Sequence, residues 1–229
     1  MTQTQTKQRA KSQATRLAIL RAATERFASQ GFHGTGIREI ADEAGVAVSA
    51  MYYYAKSKDE LLELLIRNAL DASTAVATQV LEQASGHSER LVALVSVHVA
   101  LHARNPRTVM VTDREFRSLE GGREPILKLR DGYEGLWADV LDAGAKAGEF
   151  ADRGKAGRLA VLSMCTGVAE WYRPGGRLTI DDLARDFSTM TLGLVAAKRD
   201  GQPVNATAIR TPELGQMREL LTIDSEPLP

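Results

Sequence analysis

The side chains best suited to chemistry lie in one short stretch near the start of the chain. Its hydroxyl and phenol groups can form hydrogen bonds with phosphate oxygens or with the edges of bases. A small residue among them, Ala50, permits close approach and can touch a thymine methyl group. The predicted chemistry is noncovalent recognition of duplex DNA, by the set Val48, Ser49, Ala50, Tyr52 and Tyr53.

Groups on both sides of this set suit the DNA backbone. Lys56 and Lys58 follow it and can neutralise phosphate charge. Ahead of it, the free amide groups at the start of a short helix can hold a phosphate together with Thr35. We therefore add Thr35, Gly36 and Arg38 to the predicted DNA-binding residues.

Three consecutive tyrosines, Tyr52, Tyr53 and Tyr54, follow one another in this stretch. On a helix they span about 200°, so they cannot all be buried. We expect at least one to face DNA and at least one to lie in the core. The alternative for the whole stretch is an αα-corner within an enzyme.

Helical periodicity supplies the elements that must position these groups. An amphipathic helix ends near Gly31, and a short helix from Ile37 to Ala44 follows, with Thr35 as its cap. Gly45 ends this helix, and a second short helix covers about 48–55. Two short helices joined by a glycine-containing turn form a helix-turn-helix unit, whose second helix enters the major groove.

The rest of the chain is also predicted to be helical. Ser57 with Glu60, and Thr179 with Asp182, have the spacing of capping boxes that begin long helices. We predict an all-α fold of about nine helices. The expected organisation is a flexible basic arm (1–12), a helix-turn-helix DNA-binding domain (13–58), a ligand-binding and dimerisation domain (59–200) and a tail with a short docking helix (201–229).

Charge is distributed unevenly, although the 229 residues carry no net charge. Residues 1–58 contain nine basic and four acidic side chains, so the remainder is acidic. A basic end on an acidic body favours an anionic partner for that end, and ordinary surface variation is the alternative.

The sequence lacks the motifs and apolar spans that are typical of several other classes of protein. Phosphate-binding loops, dinucleotide fingerprints and nucleophile elbows are absent from the sequence, and we expect no cofactor. His98 and His102 share a helix face, but the glutamate of zinc hydrolases and a third ligand are missing, so we expect no metal. Cys165 is the only cysteine and is expected to be buried. Without an apolar span or a signal peptide, we expect a cytoplasmic, nucleoid-associated protein with no membrane partner.

Residues 15–66 resemble the DNA-binding domain of TetR-family transcriptional regulators. The resemblance depends on a dense series of matching motifs: Gly31-Phe32, Gly34-Thr35, Ile40-Ala41, Ala44-Gly45-Val46, Tyr52 and Ser57-Lys58-Asp59-Glu60-Leu61-Leu62. It implies a homodimer, a variable C-terminal ligand domain and repression relieved by a small molecule. Ala47-Val48 and Ala55 depart from the family, which usually has a polar residue and a phenylalanine at these places.

The C-terminal part is similar to a branch of this family found in actinobacterial lipid and steroid catabolism. The similar segments are 114–119, Ile126, 129–131 and 171–178. Several members of that branch sense acyl-CoA thioesters, so the resemblance makes an acyl-CoA or a hydrophobic carboxylate a candidate effector.

An effector pocket between bundle helices should be mostly apolar, with a few polar groups. Arg114 and Arg117 could hold a phosphate or carboxylate, although a solvated or salt-bridged face is the alternative. Plain core packing is the alternative for the apolar candidates. The predicted ligand-binding residues are Met110, Arg114, Phe116, Arg117, Trp137, Met164, Cys165, Val168 and Trp171.

Dimerisation follows from the DNA argument, because one helix-turn-helix unit reads too few base pairs to be specific. Pairing on a palindromic operator supplies the missing discrimination. The expected interface is a four-helix bundle from 154–172 and 179–198 of both chains, and intrachain core is the alternative. Its predicted contacts are Leu159, Leu162, Phe187, Met190 and Leu194.

Three functions remain open from the sequence. The first is a homodimeric repressor released from its operator by a small ligand. The second is a dimeric DNA-binding regulator without a small-molecule effector. The third is an all-α enzyme that acts on a phosphorylated substrate.

Overall fold

The computed structural model describes residues 3–119 and 123–211, and the fold is all-α as predicted. Within these residues, short 3-10 turns cover Glu115–Ser118 and Ala206–Ala208, and two short strands are β1 (Lys198–Arg199) and β2 (Gln202–Pro203). The α-helical segments are α1 (Gln3–Gly34), α2 (Ile37–Glu43), α3 (Val48–Tyr54), α4 (Lys58–Gln83), α5 (His87–Arg104), α6 (Pro106–Arg114), α7 (Arg123–Lys146), α8 (Gly154–Thr166), α9 (Val168–Trp171) and α10 (Ile180–Leu194).

The chain divides into two compact units. The N-terminal unit comprises residues up to Ala69 and the segment Arg107–Leu127, and the C-terminal unit comprises Leu70–Pro106 and the residues from Lys128 onward. The sequence placed the boundary earlier, at the start of α4. The first turns of α4 carry fully buried leucines and group with the N-terminal unit instead.

Helix α1 begins at Gln3, which corrects the expectation of a flexible arm over 1–12. The residues from 3 to 30 include many glutamines, lysines, arginines and alanines and no glycine or proline, and such a composition favours a helix. The predicted break at Gly31 is present, with φ 75° and ψ 162°. Glycine adopts this conformation without the steric cost that other residues meet.

The core of the N-terminal unit joins the first three helices. Phe27 of α1, Ile40 of α2 and Met51 of α3 are fully buried, and the rings of Phe27 and Phe32 lie 5.4 Å apart. Each buried side chain of this size contributes about 1.5–3 kcal/mol of transfer free energy. The orientation of α3 is therefore fixed by the core.

The turn between α2 and α3 depends on Gly45, whose φ is 65°. The Gly45 amide donates to the Asp42 carbonyl at 3.1 Å, and the Val46 amide donates to the Ala41 carbonyl at 3.0 Å. These bonds satisfy carbonyls at the end of α2 in the geometry that glycine favours. The predicted helix-turn-helix is thereby confirmed.

The start of α4 matches its predicted cap with one shift. Ser57 Oγ accepts a hydrogen bond from the Glu60 amide at 3.1 Å, as expected. The Glu60 carboxylate reaches one residue further back than a capping box requires and accepts from the Lys56 amide at 2.6 Å. Both bonds satisfy amides near the helix start.

The C-terminal unit is built around α5. Every residue from Leu91 to Leu101 is buried, and α5 packs against α8, α9 and α10. The predicted capping box of α10 is confirmed. Thr179 Oγ1 accepts from the Asp182 amide at 3.1 Å, and the Asp182 carboxylate accepts from the Thr179 amide at 3.0 Å.

After α10, the chain forms the antiparallel hairpin of β1 and β2, in which Arg199 is paired with Gln202. Strands of two residues are too short to produce an alternating pattern, so the sequence did not predict them. Arg199 also forms a 2.5 Å ion pair with Glu89 of α5. The structure describes the predicted tail only as far as residue 211, and no described helix corresponds to its predicted docking helix.

Across the described ranges 3–119 and 123–211, no helix is both long enough and apolar enough to cross a membrane.

Candidate DNA-binding surface and ligand-binding core

Helix α3 presents one buried and one exposed face. Met51 is fully buried and holds the helix on the core. Tyr52 is 52% exposed, Tyr53 is 82% exposed and Ser49 is also exposed. The two remaining predicted contacts on this helix, Val48 and Ala50, are half-buried. Three hydroxyl groups of α3 therefore face away from the core.

The prediction for the three tyrosines is correct for the exposed face and wrong for the core. Tyr54 is half-buried, and its hydroxyl lies 3.1 Å from Ser12 Oγ of α1. The buried positions are Met51 and Ala55, which flank the tyrosines. Buried tyrosine needs a partner for its hydroxyl, whereas methionine and alanine do not.

The predicted cations differ in their environment. Arg38 of α2 and Lys56 are exposed. Arg26, by contrast, forms a 2.7 Å ion pair with Glu43. The basic excess of the N-terminal end is thus only partly accessible to a partner.

Thr35 and Gly36 do not have their predicted roles. Thr35 is buried, and its hydroxyl donates to the carbonyls of Gly31 at 2.8 Å and Arg26 at 3.2 Å. The residue before α2 is Gly36, whose amide donates to the Glu39 carboxylate at 2.7 Å. The break in α1 leaves carbonyls that need donors, and Glu39 already occupies the amide that was assigned to a phosphate.

Lys58 also differs from its prediction as a phosphate contact. Its Nζ donates to the carbonyls of Phe32 at 2.7 Å and Thr35 at 3.0 Å, and lies 4.4 Å from the centre of the Phe32 ring. A cation at the carbonyl end of α1 satisfies unpaired acceptors and interacts favourably with the helix dipole. This lysine therefore supports the unit from within.

The predicted ligand-binding residues fall into both units. In the N-terminal unit, Arg114 and Arg117 are exposed, whereas Met110 and Phe116 are half-buried. Arg114 and Phe116 have further interactions within the protein.

In the C-terminal unit, Trp137, Cys165 and Val168 are fully buried in the core, and Met164 is packed against it. Trp171 does not lie in the interior, where the ligand pocket was predicted, because it is 49% exposed on the short helix α9. Its ring lies 6.3 Å from that of Phe187.

The buried candidates Trp137, Cys165 and Val168 belong to the hydrophobic core of the C-terminal unit. One cleft in this unit, lined among others by Phe150 and Arg153, has a volume of about 10 Å³. This is room for about one water molecule. Core packing thus describes the buried candidates in this state.

A polar cluster lies within this apolar interior and involves α5, α7 and α8. His98 Nδ1 is 2.8 Å from Tyr133 Oη, and His98 Nε2 is 3.1 Å from Thr166 Oγ1. The ring of His102 stacks on His98 with centroids 3.8 Å apart. Burial, and secondarily the neighbouring His102, hold the pKa of His98 well below its ordinary value, so the ring is neutral.

Trp137 completes the cluster. Burial raises the pKa of Tyr133, an effect that the nearby Trp137 indole opposes and Cys165 increases. The Trp137 N–H is fully buried and makes no well-formed hydrogen bond within the described part of the chain. The sequence analysis singled out His98 and Trp137 but missed Tyr133 and Thr166. The four-residue spacing between Tyr133 and Trp137 was the one signal that could have added Tyr133 to the cluster.

Cys165 is buried and unpaired, as expected. Burial raises the pKa of its thiol to about 12, with the Thr191 hydroxyl opposing the shift. The thiol therefore stays protonated and unreactive near neutral pH.

The predicted dimer contacts separate into two groups. Leu159 is 41% exposed on α8 and Met190 is 46% exposed on α10. Leu162 and Leu194 are half-buried against the core of their own chain. Phe187 was predicted as a dimer contact but is an intrachain core residue, because it is buried within the core of its own chain.

Among the residues that the structure describes, no group of three or more histidine, cysteine, aspartate or glutamate side chains could hold a metal ion.

Two family models match the chain. Residues 19–65 match the model described as bacterial regulatory proteins, tetR family, and residues 84–195 match the model described as tetracyclin repressor-like, C-terminal domain. The first match contains the helix-turn-helix, and the second lies mainly in the C-terminal unit.

Individual proteins show the same relationship. The HTH-type transcriptional repressor KstR2 of Rhodococcus jostii is 28% identical over 186 residues, which cover 80% of this chain and 91% of the relative. The fatty acid metabolism regulator protein of Bacillus subtilis is 28% identical over 138 residues, covering 59% and 71%. The solved structure of the ketosteroid transcriptional regulator KstR2 of Mycobacterium tuberculosis has a TM-score of 0.72 at 26% identity, covering 80% of this chain and 95% of that one.

Proposed function

This chain belongs to the TetR family of bacterial transcriptional regulators, and from that premise we propose a homodimeric repressor that a small hydrophobic or acyl-CoA-type ligand releases from a palindromic operator. The relatives described above are named as regulators, so the enzyme alternative is set aside. As an operator-binding protein it would reside at the nucleoid.

The exposed face of α3 is the observation that carries this proposal. Ser49, Tyr52 and Tyr53 would contact base edges and phosphates in the major groove, and Arg38 and Lys56 would contact the backbone. Val48 and Ala50 would line the closest approach to the bases. Met51 fixes the orientation of this face, which specific recognition requires.

The proposed dimer interface uses the exposed apolar side chains of α8 and α10. Leu159 and Met190 would be buried by the same helices of a second copy, with the half-buried Leu162 and Leu194 behind them. Large exposed apolar side chains on neighbouring helices favour such burial.

The proposed effector would enter the C-terminal unit. The named fatty acid and ketosteroid regulators among the relatives support an apolar metabolite, and the resemblance to the acyl-CoA-sensing branch supports a thioester. An effector can release DNA only if it binds more tightly to a conformation that does not fit the operator. Opening of the packed interior would provide such a conformation.

The operator can be obtained by selecting bound fragments from genomic DNA, and its affinity can then be measured by fluorescence anisotropy. Tyr53→Ala should weaken binding by about 5- to 150-fold, the loss expected when about 1–3 kcal/mol of base-edge interaction is removed. Tyr172→Ala, a matched control in the C-terminal unit, should retain the wild-type affinity. Wild-type operator affinity in Tyr53→Ala, Tyr52→Ala and Ser49→Ala alike would show that α3 does not read the DNA.

Ligand release is tested by adding acyl-CoA thioesters of increasing chain length to the preformed complex. Operator affinity should fall for a limited range of chain lengths. An affinity unchanged across the series would contradict the effector class while leaving the DNA-binding assignment intact.

A further inference from the structure

We propose that the polar cluster of His98, Tyr133, Thr166 and Trp137 binds an uncharged carbonyl oxygen in the buried part of the effector. This inference deepens the proposed function and depends on it. It also distinguishes between the two effector classes left open by the sequence, because it favours a thioester or ketone and disfavours a free carboxylate.

The first support is the location of the cluster. His98 of α5, Tyr133 of α7 and Thr166 of α8 bring polar groups from three helices to one place in a core that is otherwise largely apolar. Burying such groups costs free energy that a core of aliphatic side chains would avoid. A few convergent polar groups within an apolar lining are the usual composition of a small-molecule site.

The second support is an excess of hydrogen-bond donors. If His98 Nδ1 carries the proton and donates to Tyr133, then Nε2 accepts from Thr166, and the Tyr133 hydroxyl proton is left over. In the other tautomer Tyr133 donates to Nδ1, Nε2 donates to Thr166, and the Thr166 proton is left over. Either arrangement leaves one hydroxyl donor without an acceptor inside the cluster.

The Trp137 indole supplies another donor. Its N–H is buried and makes no well-formed hydrogen bond among the described residues, although it lies near enough to the Tyr133 hydroxyl to oppose the rise in that group's pKa. Its ring meets that of His98 edge-on with centroids 5.3 Å apart. A carbonyl oxygen has two lone pairs and can accept from two donors. One hydroxyl donor left over in the cluster and one weakly engaged indole N–H therefore match a single carbonyl oxygen.

The third support is the uncharged character of the fully buried polar side chains. The fully buried polar side chains among the described residues are threonine, serine, asparagine and one histidine, whose ring is neutral. A carboxylate placed among these uncharged side chains would lose its hydration. The charged part of a coenzyme A thioester would consequently remain outside this interior.

A helix break of one residue, Gly167, lies beside the cluster. Helix α8 ends at Thr166 and α9 begins at Val168, so the Thr166 hydroxyl lies at an interruption between two helices. A packed interior must open to admit a ligand, and a helix interruption allows local movement more easily than an unbroken helix.

Two ligands that differ only in the acceptor provide the test. Octanoyl-CoA contains the thioester carbonyl, and S-octyl-CoA replaces it with a methylene group. Wild-type protein should bind octanoyl-CoA at least about three- to tenfold more tightly, the value of one hydrogen bond between uncharged groups. Trp137→Phe keeps the hydroxyl donor but lacks the indole donor, so it should show a smaller preference and bind S-octyl-CoA as the wild type does.

The second tryptophan of the chain provides the matched control. Trp171→Phe removes an exposed indole and should leave both affinities unchanged. It also leaves Trp137 as the only indole, so a change in its fluorescence reports binding at the cluster directly. In this variant, 2-octanone at millimolar concentration should change the fluorescence, whereas octanoate at the same concentration should not.

The outcomes separate this inference from the proposed function. Equal affinities of wild-type protein for octanoyl-CoA and S-octyl-CoA would overturn the role of the cluster and leave the effector class standing. Failure of both octanoyl-CoA and 2-octanone to affect Trp137 would overturn the inference, and operator binding measured in parallel would show whether the protein is still a DNA-binding regulator. A stronger response to octanoate than to 2-octanone would also overturn it.

Discussion

Substituting methionine for Lys58 should destabilise the N-terminal unit without changing how operator binding depends on salt. The lysine donates two charge-assisted hydrogen bonds, at 2.7 and 3.0 Å, to carbonyls at the end of α1. Such bonds contribute about 1.5–3 kcal/mol each when they are made singly. Methionine keeps the packing of the aliphatic stem and the side chain is only half-buried, so we expect a net loss of about 2 kcal/mol.

Urea denaturation followed by circular dichroism measures this loss. For an m-value of about 2 kcal/mol/M, the midpoint should fall by about 1 M. Tyr53→Phe, which changes an exposed residue, serves as a stability control and should keep the wild-type midpoint within about 0.3 M.

Lys56→Met is the matched comparison, because this lysine is exposed and only its amide is bonded to Glu60. Its stability should stay within about 0.5 kcal/mol of the wild type. In the proposed dimer the substitution would remove two of the proposed phosphate contacts, so the slope of log K against log salt should become less steep by about 1.8. Between 50 and 200 mM salt, that change corresponds to about a tenfold smaller loss of affinity. A Lys58→Met variant that keeps its midpoint but flattens the salt slope would refute the internal role of Lys58.

Two further predictions follow from the C-terminal unit. The double variant Leu159→Glu, Met190→Glu should sediment as a monomer in sedimentation velocity and lose specific operator binding. Leu17→Glu, at an equally exposed leucine of the other unit, should remain dimeric. A double variant that stays dimeric would place the interface elsewhere. Burial depresses the pKa of His98, so below about pH 6.5 the unfolded chain takes up a proton that the folded chain excludes, and the free energy of unfolding should fall by at most about 1.4 kcal/mol per pH unit as the pH decreases from 6.5. His98→Gln should reduce this slope, whereas His33→Gln, at an exposed position, should not. Identical pH profiles for the wild type and both variants would contradict a neutral buried ring.

The sequence predicted the elements that depend on local chemistry. The turn at Gly45 and the cap formed by Thr179 and Asp182 require particular residues at fixed spacing, and both are present as expected. Periodicity also identified α3 and its exposed hydroxyls, because one face of a short amphipathic helix must be buried.

The sequence did not predict interactions between residues distant along the chain. Lys58 reaches the carbonyls of Phe32 and Thr35, which precede it by 26 and 23 residues, and no periodic pattern specifies that contact. A lysine beside a DNA-binding helix has the same residue type whether it faces phosphate or the end of another helix. Phe187 shows a similar limit, since an amphipathic stripe does not distinguish a partner in the same chain from one in a second copy.

The hydrogen bond between Ser12 and Tyr54 bears on how this protein should be prepared for experiments. Ser12 precedes the segment 19–65 that matches the family model, so a protein trimmed to that segment would lack the 3.1 Å bond that ties α1 to the last residue of α3. Tyr54 adjoins the highly exposed Tyr53, and affinities measured after such trimming would describe a recognition helix with a loosened end. Purification tags are therefore better attached at the C-terminus, with the first turns of α1 left in their natural sequence.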